Sequence, residues 1–313
     1  MPNYTSDERT SMMESQIAEV SAIIEQQKAD GTLYKPTQAY WDLARPTFIE
    51  NWPSDLHSIS IPSTIIRLDE REANTLGSYI IELGEGFENT PEEHEAVRDD
   101  LIRIIDQAVK YYPHGAFVRL GSRSPKDAMY WGVGPGEDSF CVRTGKDAWR
   151  LLTACSERVY DDLRMQLAMH YDPRIVVREW IDLPEWSEFR CFQRNGQLIG
   201  ISQYYYRRPY LEILQDTDGI KWAIEQFHKL QFLPAYTSDI VFDIFVKRRQ
   251  VGIRCFGPNA GPMFNYEVKL LEINPFFNLT DPCLFDWTKP EEFDGRMRFT
   301  RELGTRAQGT GEV

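Results

Sequence analysis

The stretch "YEVKLLEINPFFNLTDP", residues 266–282, decides how the chain is read. Side chains on a strand alternate between faces, so Val268, Leu270, Glu272 and Asn274 share one face, and Pro275 ends the run. A buried strand that finishes with a carboxylate and an amide needs a reason, because an unpaired buried carboxylate is costly. The strand before it, "DIVFDIFV" (239–246), is apolar on both faces, as a central strand would be, and Asp243 interrupts it. If the two strands pair in a hairpin, Asp243, Glu272 and Asn274 converge. Two readings stay open: ion pairs with buried arginines, or a Mg2+ site, since Mg2+ takes hard oxygen donors together with phosphate or water.

Working outward, basic residues also fall on strands. Arg119 lies in "FVRLG", Arg178 in "VVREW", and Arg190 in "EFRCF", on the same face as Glu188. Each alone reads as a structural ion pair. Three strand arginines near two strand acids also suit a polyphosphate held together with a metal.

The remaining elements give an α+β protein whose core sheet is antiparallel, because its strands come as hairpins. "EFRCFQRNGQLIGISQYY" (188–205) is a hairpin turned by Asn195-Gly196, and "SISIPSTIIRL" (58–68) is a strand placed at an edge by Pro62. Helices are expected over 91–112, 145–169 and "GIKWAIEQFHKL", and an amphipathic helix over residues 1–30 with Ile17, Val20, Ile23 and Ile24 on one face. The segment 251–265, with its Gly and Pro residues, reads as a loop, and the C-terminus as a disordered tail.

The 313 residues suffice for one large domain or two packed ones. The net charge of −13 disfavours nucleic acid as the default partner. No apolar run is long enough to span a bilayer, no secretory signal opens the sequence, and the five cysteines form no CxxC; these features point to a cytoplasmic protein. There is no P-loop motif, no HExxH and no GxSxG. "GVGPG" (132–136) lacks the spacing of a dinucleotide loop, and the histidines show no metal-ligand spacing.

Several ordered blocks carry a resemblance: "FVRLGSRSPKDA", "VVREWIDLPEWSEFRCF", "GQLIGISQYYY", "DIVFDIFV" and "LLEINPFFNLTDPCLFDW". Together they resemble the cell division cycle protein 123 family over roughly residues 110–290. The resemblance implies an ATP-grasp fold, in which two subdomains with antiparallel sheets hold Mg-ATP between them. Along the sequence it implies an N-terminal helical extension (1–35), an ATP-grasp domain (36–295) and a flexible tail (296–313), the smaller subdomain covering roughly 100–175 and the larger roughly 176–295 plus the N-terminal segment.

Carried over by motif, Asp243, Glu272 and Asn274 would ligate the metal. Arg178, Glu179 and Trp180 would form the hinge beside adenine, and Glu188 and Arg190 would line the phosphate or effector side. Ser124, Pro125, Lys126 and Asp127 would form a loop near the nucleotide. Arg119 stands where the family has a lysine, and a guanidinium forks differently from an ammonium.

The function implied is an assembly chaperone for eukaryotic translation initiation factor two, binding its gamma subunit. "WPSDLHSISIP" and "YYYRRPY" (204–210) are candidate interface stretches, having aromatics beside arginine or proline. The alternatives are an ATP-grasp ligase that joins a carboxylate to an amine, and an interaction protein with a degenerate site.

Overall fold

The computed structural model describes residues 35–80, 91–131, 140–154, 156–255 and 261–301. The helix expected over 1–30, "GVGPG" (132–136) and the last twelve residues lie outside the described residues.

Two sheets organise the protein. The smaller has three strands in the order β1-β3-β2, with β1 Ser63–Arg67, β2 Ala116–Leu120 and β3 Arg174–Glu179, all antiparallel. Strand β1 is at the edge and starts immediately after Pro62, whose missing N–H would break a central ladder. The larger sheet has the order β7-β6-β4-β5-β8, with β4 Glu188–Arg194, β5 Gln197–Gln203, β6 Ile240–Arg254, β7 Gly261–Pro275 and β8 Met297–Arg298. Its pairings are antiparallel except the two-residue contact of β5 with β8, which begins inside the span 296–313 read as a tail.

The turn between β4 and β5 has Asn195 at φ 50° and Gly196 at φ 71°. Both are left-handed, as the tight hairpin turn "NG" requires. Strand β6 lies between β7 and β4, and Val241, Phe242, Ile244 and Val246 are fully buried. That is why both of its faces are apolar.

Two expectations are corrected. The segment 251–265 is not mainly a loop: β6 continues to Arg254 and β7 starts at Gly261, so beyond Phe245, where pairing with β4 ends, the two strands form a projecting ribbon. The single helix expected over 145–169 is two, Gly145–Thr153 and Glu157–Ala168. Ser156 restarts the helical path as an N-cap, its Oγ accepting from the Val159 N–H at 3.2 Å, and a capping residue has non-helical backbone.

Helices Glu70–Ser78, Pro91–Val109, Gly145–Thr153 and Glu157–Ala168 cover the small sheet in a core built on Leu101, Ile105, Val118 and Val177. Helix Thr217–Phe227 covers the large sheet, packing Ile224 and Phe227 against Phe189, Phe242 and Ile244. Trp52, Leu56 and Ile61, read from sequence as part of an exposed interface stretch, are buried instead. No helix among the described residues is long and apolar enough to cross a membrane.

Candidate functional site

In the antiparallel register Asp243 of β6 stands directly opposite Glu272 of β7, and Asn274 opposite Val241. Two facing carboxylates repel unless cations intervene. Both are answered by arginines. Arg190, opposite Asp243 on β4, donates to both carboxylate oxygens, Nε to Oδ1 at 2.8 Å and Nη2 to Oδ2 at 2.7 Å. Arg119 reaches across from the small sheet and donates to Glu272 Oε1 at 2.7 Å. Both pairs are largely withdrawn from water, with side-chain exposures of 7% and 4% for Arg190 and Asp243 and 4% and 17% for Arg119 and Glu272. Burial pushes the Glu272 carboxyl up, but Arg119, Lys126 and Arg190 outweigh it and hold it well below the usual carboxylate range.

Arg178 makes a second link between the sheets. It is buried on β3, has no carboxylate partner among the described residues, and donates to the Leu271 carbonyl at 2.6 Å, to Ser60 Oγ at 2.7 Å and to Ser63 Oγ at 3.2 Å. Burial and the neighbouring Arg119 push its guanidinium down to about 9, which leaves it charged at neutral pH.

The loop after β2 is fixed from the helix that follows. Asp127 accepts from Ser156 Oγ at 2.6 Å and from the Arg158 backbone N–H at 3.0 Å, at the N-terminus of helix Glu157–Ala168. A carboxylate there satisfies free N–H groups and complements the helix dipole. Asp127 therefore anchors the loop, and Lys126 is left projecting. The Lys126 ammonium donates to the Tyr204 hydroxyl at 2.9 Å. Burial disfavours its charge, yet Tyr204, Glu272 and Glu188 together raise its pKa. Glu188 goes the other way for a carboxylate: burial, only partly offset by Lys126, and the charges of Asp243 and Glu272 push it up to about 7.

These side chains border two adjoining cavities. The larger, about 520 Å³, is lined by Arg119, Ser124, Lys126, Arg178, Glu179, Trp180, Glu188, Asp243 and Glu272. Its apolar walls come from Phe117, Phe140, Ile181 and Leu183. The smaller, about 330 Å³, is bordered by Arg190 and Asn274, together with Arg123, Arg158 and Tyr204. Lys126 and Glu272 border both. Eleven of the thirteen site residues singled out from the sequence thus fall around one pair of cavities, and Pro125 and Asp127 line neither. Sequence reasoning missed the apolar walls Phe117 and Phe140 and the cations Arg123 and Arg158. Arg123 sits in the same "GSRSPK" loop; Arg158 lies on a helix, where an arginine reads as part of a solvated face.

The chemistry of the acid set fits a hard cation only together with an anion. Both oxygens of Asp243 are engaged by Arg190, and Asn274 offers its amide nitrogen to Asp243 Oδ2 at 3.4 Å, an orientation that can reverse. Both carboxylates are already neutralised. Among the described residues no group of three or more His, Cys, Asp and Glu stands ready to hold a metal.

The family model D123 matches residues 83–303. The chain belongs to the D123 family. It is 32% identical over 209 residues to "Cell division cycle protein 123" of Eremothecium gossypii, covering 64% of this chain and 50% of that protein. It is 29% identical over 192 residues to "Translation initiation factor eIF2 assembly protein" of Xenopus laevis, covering 58% and 51%. The chain therefore spans about half the length of the curated relatives it matches. Among solved structures, Cdc123 from Schizosaccharomyces pombe superimposes with a TM-score of 0.62 at 19% identity, covering 86% of this chain and 99% of that one. At that identity the likeness carries the fold, an α+β arrangement with antiparallel sheets.

Proposed function

We propose that this protein binds Mg-ATP in an ATP-grasp arrangement and assists the assembly of translation initiation factor eIF2 by binding its gamma subunit. The observation that carries the nucleotide reading is the 520 Å³ cavity, lined by apolar and aromatic side chains together with cationic and acidic ones, inside a protein of net charge −13. Phe117, Phe140, Ile181 and Leu183 suit a base, with Glu179 and Trp180 beside it at the end of β3. Lys126 and Arg119 in that cavity, with Arg190 in the adjoining one, suit phosphates, since charge-assisted hydrogen bonds are the strong ones.

Mg2+ enters with the polyphosphate, because Asp243 and Glu272 already have cations. Held by Asp243, Glu272 and Asn274, it would screen phosphate charge. The assembly reading rests on the names of the relatives and on the family match. Binding of the client needs no acid–base group beyond the nucleotide site.

Calorimetry tests the first half: ATP should bind, more weakly with EDTA, and Mg2+ alone should give no heat. A pull-down of the purified protein with the gamma subunit of the same organism, at near-physiological salt, tests the second. Absence of that complex, together with ADP release that depends on an added acid and amine, would move the assignment to the ligase.

A further inference from the structure

The smaller cavity contains a cation that the nucleotide reading does not use. Arg158 sits at the start of helix Glu157–Ala168 and lines that cavity, not the larger one. Its Nε donates to the Ser124 carbonyl at 2.9 Å, which fixes the guanidinium. Among the described residues it has no carboxylate within ion-pair distance. Burial and the charges of Arg123 and Arg119 push its pKa down, with Glu272 and Asp127 opposing.

The charges around it can be paired off. Arg123 is taken by Asp162 at 3.1 Å, Arg190 by Asp243, and Glu272 by Arg119. Among the described residues, what remains on the wall of the smaller cavity is Lys126, Arg158 and the Asp281 carboxylate. Lys126 borders the larger cavity as well and is committed to the phosphates there. Arg158 is then left as the anchor of the smaller cavity. With Nε occupied, its two terminal nitrogens form a planar fork that matches a carboxylate.

The rim supplies a second feature. Phe277 is 36% and Leu279 74% exposed, and both border this cavity, as does Met165. Tyr40 and Phe277 contact each other there with ring centroids 5.8 Å apart. A guanidinium without a carboxylate partner among the described residues, beside exposed apolar side chains on the same cavity, suits a monoanion attached to an apolar group.

We propose that the smaller cavity is a binding site for a peptide carboxylate, with Arg158 gripping the carboxylate and Phe277 and Leu279 contacting the apolar side chain next to it. The proposal rests on the nucleotide reading, which gives Lys126 and Arg190 to the phosphates and Glu272 and Asn274 to the metal along the shared wall.

The test is ligand-observed NMR titration of the full-length protein without nucleotide. The probes are N-acetyl-leucine, which mimics the C-terminus of a peptide, the α-amide of N-acetyl-glutamate, which offers a side-chain carboxylate, and N-acetyl-leucinamide, which has none. Binding of at least one of the two carboxylates, with the neutral amide about tenfold weaker, is expected. Which of the two binds more tightly identifies the source of the carboxylate. Arg158→Gln should weaken the carboxylates about tenfold while ATP affinity stays within about twofold. Because Arg158 also supports the Ser124 loop, Leu279→Ser provides a variant at an exposed position; it should weaken N-acetyl-leucine about threefold without lowering stability. The proposal is overturned if no carboxylate binds, if N-acetyl-leucinamide or inorganic phosphate binds as well as the carboxylates, or if Arg158→Gln lowers ATP affinity as much as it lowers theirs. If the protein fails to bind ATP but passes the carboxylate arm, the nucleotide reading falls and this site stands.

Discussion

Arg119→Met tests whether charge holds the two sheets together. Arg119 comes from the small sheet, Glu272 from the large one, and 2.7 Å separates their atoms. Removing the guanidinium leaves Glu272 largely buried without its closest cation. Breaking a buried pair by deleting one partner costs about 3–5 kcal/mol. Lys126 and Arg190 still act on Glu272, so the lower end applies, about 3 kcal/mol at pH 7.5. The pH dependence separates charge from packing. In the parent protein Glu272 is held below its ordinary value of 4.5, so it contributes stability above that pH, and this is lost as pH falls through the folded value. In the variant, burial is opposed only by the remaining cations, the folded pKa rises, and the carboxyl protonates at a higher pH. The deficit of the variant should therefore shrink to about 1 kcal/mol only near pH 2, where Glu272 of the parent takes up its proton, leaving chiefly the lost hydrogen bond from Arg119 Nε to the Leu120 carbonyl. Urea unfolding of both proteins at the two pH values measures it. A deficit below about 1 kcal/mol at pH 7.5, or one equal at both pH values, would refute the electrostatic bridge.

The Asp243–Arg190 pair is examined by Asp243→Asn, Arg190→Met and the double variant. Each single change should cost about 3 kcal/mol, and the double much less than their sum, because the second substitution removes a charge the first has stranded; additive urea midpoints would show the pair to be uncoupled. Lys126→Ala should lower ATP affinity by about 1.5–3 kcal/mol in calorimetry while changing the unfolding midpoint little, since its ammonium bonds a hydroxyl and has no ion pair among the described residues; unchanged affinity would remove Lys126 from the nucleotide site. Glu188 has its folded pKa raised to about 7, so the native state keeps the proton longer than the unfolded state and stability falls as pH rises from 4.5 towards 7. Glu188→Gln should remove that slope and gain roughly 1–2 kcal/mol at pH 8 relative to pH 4, after allowance for the partial exposure of this side chain; a slope that persists in the variant would assign the titration elsewhere.

Asp243 and Glu272 are legible because a carboxylate on an otherwise apolar strand contradicts its surroundings, and such contradictions mark places where the structure must compensate. Their partners are legible as a set but not as pairs. Arg190 and Asp243 meet because β4 pairs with β6 in one particular register, and a one-residue slip would put them on opposite faces. Arg119 and Glu272 are 153 positions apart, and they meet only because the two sheets face each other. No local pattern encodes that approach. The ribbon beyond Phe245 escapes a sequence reading for a related reason: Gly252 and Pro262 suggest a loop, yet β6 and β7 satisfy each other's backbone there without the rest of the sheet. Trp52 and Leu56 read as surface because they lie in or beside short helical turns, Ile49–Asn51 and Ser54–Ser58, too brief to show a buried periodicity. Arg158 gives no signal of its own, because helical spacing places an arginine on a face without saying what faces it. In this protein a backbone carbonyl and a cavity wall face it, contributed by segments 34 residues upstream and more than 100 downstream. The acids of the site announce themselves along the strand, whereas its cations acquire meaning only from the packing that brings the sheets together.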